Sequence, residues 1–211
     1  MSDRTAGIRS ILSFPEVYRW TRDIVGLNRW LQRYVTAYVK PEPGDRILDI
    51  GCGTGEVVRY LRGSTYVGVD CHAPYIEYAT RVFGDHGRFV QGNVADYIAE
   101  FEGQFDLVLA NGVLHHLDDV LGQRVFQIAA RVLRNCGRLV TVDPCFYDGQ
   151  SPLTRFIVAN DRGGYVRHYS DYPRMAQGAF RSVECSLWAG YFPIPFSVAI
   201  MQCQTGRESL T

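Results

Sequence analysis

The chain has no net charge, because 22 basic residues balance 22 acidic ones among its 211 residues. Without a charge imbalance there is no overall field that would gather nucleic acid or an anionic membrane surface. We therefore expect neither as a partner and favour a small molecule as the ligand.

Paired cysteine motifs and long apolar runs are also missing from the sequence. Its six cysteines stand singly, which argues against a zinc site and against a compact disulfide framework. Neither a basic segment followed by an apolar stretch nor a run long enough to span a bilayer occurs. These absences predict reduced thiols in a cytoplasmic protein.

The length suits one domain with one core, since 46% of the 211 residues are hydrophobic. Apolar residues recur at helical spacing over 15–39, Gly26 is a point at which this helix can break, and the segment KPEPGD then stops the pattern. We expect a helical arm or lid over 1–43, a core over 44–143, and an insert with a C-terminal hairpin over 144–211.

Short apolar runs separated by helix-length segments dominate the core. They predict parallel strands at 46–50, 65–70, 88–92, 105–110 and 137–143, with helices at 55–61, 75–83 and 120–133. Two later runs, 180–189 and 195–203, lack a helix-length spacer and predict an antiparallel pair. The fold class is therefore α/β, a doubly wound and mostly parallel seven-stranded sheet with an antiparallel C-terminal hairpin and an N-terminal helical arm.

The strand RILDI runs directly into the glycine-rich sequence GCGTGE. Gly51, Gly53 and Gly55 alternate there, which allows a tight turn and a close approach of a ligand to the backbone. A dinucleotide-binding loop of the GxGxxG type needs its third glycine at position 56, where this sequence has Glu56. That difference disfavours NAD and an NAD-dependent oxidoreductase.

The stretch LDIGCGTG resembles the first motif of class I S-adenosylmethionine-dependent methyltransferases. The resemblance implies S-adenosylmethionine as the cofactor, held beside its amino-acid and ribose portions by Asp49, Gly51, Cys52, Gly53 and Gly55. It implies further cofactor contacts after the next three strands, from Asp70 and Cys71, from Asn93 and Val94, and from Asn111.

Two of these positions have specific expected roles. Asp70 closes the second predicted strand about 20 positions on, where a carboxylate can accept hydrogen bonds from both ribose hydroxyls. Asn93 stands where the family more often has aspartate, and its carboxamide oxygen can still accept from the adenine amino group.

Further similarity to the family lies in FDLVLANGVLHHLDD and RVLRNCGRLVTVD, so that the resemblance covers residues 44–143. It implies transfer of a methyl group, an in-line displacement that depends on positioning and desolvation, and we expect no metal site. A non-catalytic regulatory partner with the same fold stays as an alternative.

The acceptor is expected between the helical arm and the segment that follows the fifth strand. Aromatic and arginine side chains there are candidates for acceptor binding: Tyr18, Tyr147, Arg162, Tyr165 and Arg167. The Asn-Pro-Pro-Tyr type of motif found in nucleic-acid amine methyltransferases is replaced by Asn111, Gly112, Val113 and Leu114. A small-molecule acceptor methylated at oxygen is favoured, with nitrogen and carbon kept open, in a monomer or homodimer.

Three candidate catalytic residues follow strands four and five, namely His115, His116 and Asp143. A histidine with a near-neutral pKa can take a proton from an attacking hydroxyl. The HHL turn can also simply begin the next helix, with one imidazole packed beneath the loop. Sequence alone does not rank the two histidines.

Overall fold

The computed structural model describes residues 27–190 and 194–206, so the predicted acceptor residue Tyr18 and residues 15–26 of the arm lie outside the described residues. The strands are β1 (Arg46–Ile50), β2 (Thr65–Asp70), β3 (Arg88–Gln91), β4 (Phe105–Asn111), β5 (Leu133–Phe146), β6 (Arg167–His168), β7 (Ser182–Ala189) and β8 (Ser197–Gln204). The α-helices are α1 (Leu27–Tyr34), α2 (Ala73–Phe83), α3 (Ile98–Phe101), α4 (Asp119–Val132), α5 (Pro152–Ala159) and α6 (Tyr172–Met175).

Seven strands form one continuous sheet in the order β3-β2-β1-β4-β5-β8-β7. The first five are parallel, and β8 is antiparallel to both of its neighbours, β5 and β7. This arrangement confirms the predicted α/β fold with its C-terminal hairpin. The strand count is corrected from seven to eight, because the two-residue β6 pairs with the end of β5; a segment so short carries no apolar pattern.

Hydrophobic packing on both faces of the sheet explains why the strands read as continuous apolar runs. Successive side chains in a strand point to opposite faces, and the neighbours Ile47 and Leu48 belong to separate buried clusters. Leu48 packs in the cluster that contains Phe126 of α4, whereas Ile47 packs in the one that contains Tyr34 of α1. The sheet therefore lies between two helical layers.

The described part of the arm is helical, as the sequence predicts. After α1 the chain makes a π-helical turn over Val35–Val39. This helical segment ends at Lys40, which has a left-handed backbone with φ of 42°. Trp30 stacks on Tyr34 with ring centroids 5.3 Å apart. The guanidinium of Arg138 donates to the carbonyl oxygens of Val39 and Lys40, which fixes the end of the arm to β5.

Two elements differ in form from the sequence expectation. The predicted helix at 55–61 is a 3₁₀ helix, Glu56–Tyr60, which starts after Gly55 with φ of 76°. Strand β5 is longer than the predicted 137–143 at both ends. It begins at Leu133 and passes an irregular register beside β4, where Cys136 has a left-handed φ of 64°, and it continues to Phe146 because its end pairs with β8 and β6. No helix within residues 27–190 and 194–206 is long and apolar enough to cross a membrane.

Candidate active site

A cavity of about 1110 Å³ opens where β1, β4 and β5 end. In open α/β sheets ligands bind beyond the carboxyl ends of the strands, where the strand order reverses, and here that reversal lies between β1 and β4. Cavities for single small ligands measure about 300–1,000 Å³. The volume thus leaves room for two small molecules side by side.

Most of the predicted site residues meet at this cavity. The wall includes the following predicted cofactor residues: Asp49, Gly51, Cys52, Gly53, Asp70, Cys71, Asn93, Val94 and Asn111. It also includes the predicted catalytic residues His115, His116 and Asp143, and the predicted acceptor residue Arg162. Gly55 is not part of the wall, and its role is conformational.

The three loop glycines have positive φ angles, of 70° at Gly51, 55° at Gly53 and 76° at Gly55. A Cβ atom at Gly51 would lie 2.6 Å from a methyl group of Val113, and one at Gly55 would lie 2.6 Å from the ring of Phe89. A Cβ at Gly53 would meet no atom of the described residues within 4 Å. Gly51 and Gly55 therefore allow tight packing, whereas Gly53, which lines the cavity, has open space beside its Cα.

Asp70 connects the end of β2 to this loop. Its Oδ2 accepts a hydrogen bond from the backbone N–H of Gly53 at 2.9 Å, and its Oδ1 accepts one from the N–H of His72 at 2.8 Å. A carboxylate offers about four lone-pair sites, so two remain for a ligand. The fixed orientation of Asp70 in the cavity wall fits the expected recognition of a ribose.

Asp49 is a buried carboxyl group beneath the same loop, with 2% of its surface exposed. Its Oδ2 accepts a hydrogen bond from the hydroxyl of Tyr66 at 2.8 Å, but its buried Oδ1 has no hydrogen-bond partner among the described residues. Burial raises the pKa of Asp49 to about 7. A cationic ligand group in the cavity would stabilise the ionised carboxylate, and the ammonium and sulfonium of S-adenosylmethionine are such groups.

Asn93 and Asn111 differ in what their carboxamide oxygens do. That of Asn93 accepts a hydrogen bond from the N–H of Ala95 at 3.0 Å and caps the 3₁₀ helix Val94–Tyr97, so its contact with adenine stays a prediction. That of Asn111 accepts a hydrogen bond from the hydroxyl of Tyr34 at 2.7 Å. Tyr34 is fully buried and lines the cavity, a site contact that sequence reasoning missed because the residue read only as part of an apolar helix face.

His115 lies between two carboxylates. Its Nδ1 is 2.8 Å from Oδ1 of Asp143, and its Nε2 is 3.1 Å from Oδ1 of Asp161. Burial lowers the pKa of His115, but the hydrogen bonds to these carboxylates outweigh burial and raise the pKa to about 9. Both ring nitrogens thus carry protons at neutral pH, an arrangement that favours a positioning role for His115.

His116 stays the histidine candidate for a general base. Its ring is half-buried, lines the cavity and lies 4.1 Å from the ring of His115, measured between centroids. The packing interpretation of the HHL turn fits His115, which is 6% exposed. Which of the two histidines acts in catalysis stays a prediction.

Asp161 was not identified from the sequence. It begins a short loop in which the N–H of Gly163 donates to Asp161 Oδ1 at 2.9 Å and the N–H of Tyr165 donates to the carbonyl of His115 at 2.9 Å. A Cβ at Gly163 would lie 2.1 Å from the imidazole of His115. The signal in the sequence is only the pair of glycines that follows Arg162, which permits this close approach but does not indicate its partner.

The other predicted acceptor residues lie away from the cavity wall. Arg167 donates to the carbonyls of Leu114 and Leu117 at 2.9 and 2.7 Å and pairs with Asp119, and so holds the turn that carries both histidines. Tyr165 is 39% exposed and Tyr147 is half-buried, and neither lines the cavity. Their contacts with an acceptor stay predictions.

Within residues 27–190 and 194–206, no cluster of three or more histidine, cysteine, aspartate or glutamate side chains is arranged to hold a metal ion. The polar groups that line the cavity include carboxylates, imidazoles, carboxamides and the guanidinium groups of Arg124 and Arg162.

Comparison with known proteins gives a consistent picture. Residues 48–141 match the family model described as "Methyltransferase domain". An uncharacterized methyltransferase of Synechocystis sp. is 33% identical over 103 residues, which cover 48% of each chain. A ubiquinone biosynthesis O-methyltransferase of Vibrio parahaemolyticus is 29% identical over 102 residues, which cover 46% of this chain and 40% of that protein. The chain thus spans about half or less of the length of these curated relatives.

Among solved structures, a SAM-dependent methyltransferase from Archaeoglobus fulgidus superposes with a TM-score of 0.70. The superposition covers 89% of this chain and 99% of the other, at 14% sequence identity. At that identity the likeness concerns the fold, and it extends well beyond the residues that the family model matches.

Proposed function

We propose that the protein, whose residues 48–141 match the family model of a methyltransferase domain, is a class I S-adenosylmethionine-dependent methyltransferase that transfers a methyl group to a small-molecule acceptor, at oxygen. S-adenosylmethionine, when bound, supplies an electrophilic methyl group on a sulfonium. The protein then has to hold this cofactor, orient the acceptor and exclude water.

The observation that carries the proposal is the connection between Asp70 and the glycine loop. The 2.9 Å hydrogen bond from the Gly53 N–H fixes the carboxylate beside the open space at Gly53. A ribose held by this carboxylate would leave the rest of the cofactor to lie along the loop, on the side of Asp49. The partnerless Oδ1 of Asp49 would then be close to the cationic groups of the cofactor.

The acceptor side of the cavity supports a small molecule. Trp30 and Phe196 provide aromatic wall, and His116 and Arg162 provide polar groups beside it. The choice of oxygen draws support from the Vibrio relative, which is an O-methyltransferase.

Isothermal titration with S-adenosylmethionine, S-adenosylhomocysteine and NAD tests the cofactor. We expect the first two to bind and NAD not to bind. Asp70→Ala should weaken binding at least about tenfold, because a hydrogen bond to a charged group contributes about 1.5–3 kcal/mol. Asp85→Asn, which changes an exposed carboxylate on another loop, is the matched control and should bind like the parent.

Transfer itself is tested with S-adenosylmethionine carrying a radiolabelled methyl group and a panel of small alcohols, phenols, amines and carboxylic acids. Label appearing on a hydroxyl compound supports the proposal. Cofactor binding at parental strength without transfer to any oxygen in the panel, or transfer to nitrogen alone, would contradict the choice of oxygen.

A further inference from the structure

Asp143, His115 and Asp161 form a hydrogen-bonded row in the cavity wall. The imidazole in the middle is 2.8 Å from one carboxylate and 3.1 Å from the other. With the imidazole protonated, the row carries one net negative charge. The two carboxylates at its ends differ in how accessible they are to a ligand in the cavity.

The Asp143 end is closed. This residue is 1% exposed, and its Oδ1 also accepts the backbone N–H of His115 at 3.1 Å. Its Oδ2 is buried without a hydrogen-bond partner in the part of the chain that the structure describes. An ionised group left this way is unfavourable by itself, and the neighbouring imidazolium compensates for it.

The Asp161 end is open, since 24% of its side chain is exposed and the residue lines the cavity. Its Oδ1 is held by two donors, the ring of His115 and the N–H of Gly163 at 2.9 Å. Its Oδ2 makes no hydrogen bond within residues 27–190 and 194–206. A carboxylate fixed through one oxygen therefore presents the other to the cavity.

We infer that Asp161 Oδ2 accepts a hydrogen bond from the O–H or N–H group that is methylated, so that the acceptor is a protic molecule and not a carbon nucleophile. This inference rests on the proposed methyl transfer and adds a residue that selects the acceptor. In it, His115 is a positioning residue that acts through Asp161.

The chemistry balances as follows for a hydroxyl acceptor. A lone pair of the acceptor oxygen forms the bond to the methyl carbon, and the carbon–sulfur bond breaks with its electron pair left on sulfur. Once the bond to carbon forms, the acceptor oxygen carries a positive charge and its proton is strongly acidic, so the proton moves to Asp161 Oδ2 and leaves to solvent through the exposed side of that carboxylate. A neutral amine acceptor attacks through its nitrogen lone pair, and the ammonium that forms releases its extra proton to solvent.

The charge of His115 suits Asp161 to this task. Burial raises the pKa of the Asp161 carboxyl, but the hydrogen bond and the charge of His115 outweigh burial and lower the pKa below its ordinary value. The carboxylate is thus ionised at neutral pH and ready to accept. Because the cavity wall also contains the rings of Trp30 and Phe196, small aromatic probes suit the test.

Binding of matched probe pairs tests the inference without knowledge of the natural acceptor. Phenol is compared with anisole, and aniline with N,N-dimethylaniline, by ligand-observed NMR on the protein saturated with S-adenosylhomocysteine. We expect the member with a donor to bind about tenfold more tightly in each pair, as for a hydrogen bond to a charged group. Asp161→Asn should reduce this preference to about twofold or less, and Asp161→Glu should restore part of it.

Asp148→Asn, which changes an exposed carboxylate outside the cavity, should keep the full preference. The inference is overturned if the parent protein does not bind the donor-bearing probe more tightly than its methylated partner, or if it binds no probe at all. It is also overturned if the preference is present but neither Asp161→Asn nor Asp161→Glu changes it. Titration with S-adenosylmethionine distinguishes failure of the proposed function from failure of the role of Asp161. If the cofactor does not bind, the proposed function fails, whereas cofactor binding without donor preference removes only the role of Asp161.

Discussion

The hydroxyl of Tyr34 donates a 2.7 Å hydrogen bond to the carboxamide of Asn111, across 77 positions of sequence. It joins the last turn of α1 to the end of β4, at a point where both residues line the cavity. The helical arm is thus fastened to the site by a polar contact as well as by apolar packing.

Tyr34→Phe removes this bond and leaves the oxygen of Asn111 without its donor. We expect the free energy of unfolding in urea to fall by about 1–2 kcal/mol. Tyr38→Phe is the control, because its ring contacts Trp188 in the same arm but its hydroxyl makes no hydrogen bond within the described residues. Equal losses for both variants would show that the bond to Asn111 contributes nothing.

Gly53→Ala should separate backbone strain from ligand exclusion. Gly53 and Gly63 both have positive φ, of 55° and 78°, and neither has an atom closer than 3.7 Å to an added Cβ. Each alanine variant should lose about 1–2 kcal/mol of stability. Only Gly53→Ala should also weaken S-adenosylmethionine binding in a titration, because Gly53 lines the cavity and Gly63 does not. Unchanged binding would place the cofactor elsewhere.

His115 should make stability depend on pH in the alkaline range. Its pKa is raised from 6.5 to about 9 in the folded protein. A raised pKa means that the contribution is complete below pH 6.5, declines as the pH rises toward 9 and is absent above that value. The total is on the order of 3 kcal/mol.

Urea unfolding between about pH 6 and 10 measures this decline, and the ring signals of His115 in NMR follow the titration directly. Asp161→Asn removes one of the two carboxylates that raise the pKa of His115, so the decline in the free energy of unfolding should move to lower pH. His86→Gln, which changes an exposed histidine, should keep the parental profile. A His115 ring that titrates near its ordinary pKa of 6.5 would contradict the prediction.

Cys136→Gly should stabilise the protein. Cys136 is exposed and has φ of 64°, a conformation that is unfavourable for a residue with a side chain. We expect a gain of about 1 kcal/mol in thermal or urea unfolding, reduced by the greater freedom of glycine in the unfolded chain. Asn135→Gly, at the exposed neighbour without positive φ, should instead lose stability.

Local patterns made most of the fold predictable. The strand RILDI and the strand TYVGVD begin and end in the structure where their apolar runs do, because buried parallel strands have no polar face. The loop glycines were identifiable for a similar reason, since positive φ at three alternating positions requires that residue type.

The missing parts of the site depend on contacts between distant segments. Asp161 contacts His115 across 46 positions of sequence, and the sequence around either residue does not indicate that the other is its partner. Helical periodicity placed Tyr34 on an apolar face, but it did not reveal that its hydroxyl reaches the end of β4. Arg167 looked like a ligand-binding arginine because sequence does not show that three backbone carbonyls and the carboxylate of Asp119 already surround it.

The position of β8 inside the sheet affects how the chain folds during synthesis. β8 lies between β5 and β7, and Asp143 on β5 pairs with Ala199 on β8. Until residues 197–204 leave the ribosome, β5 is an unpaired edge, a kind of surface that promotes association between chains. A nascent chain in which β8 has not yet paired would therefore leave the strand bearing Asp143 open to a chaperone or to another nascent chain.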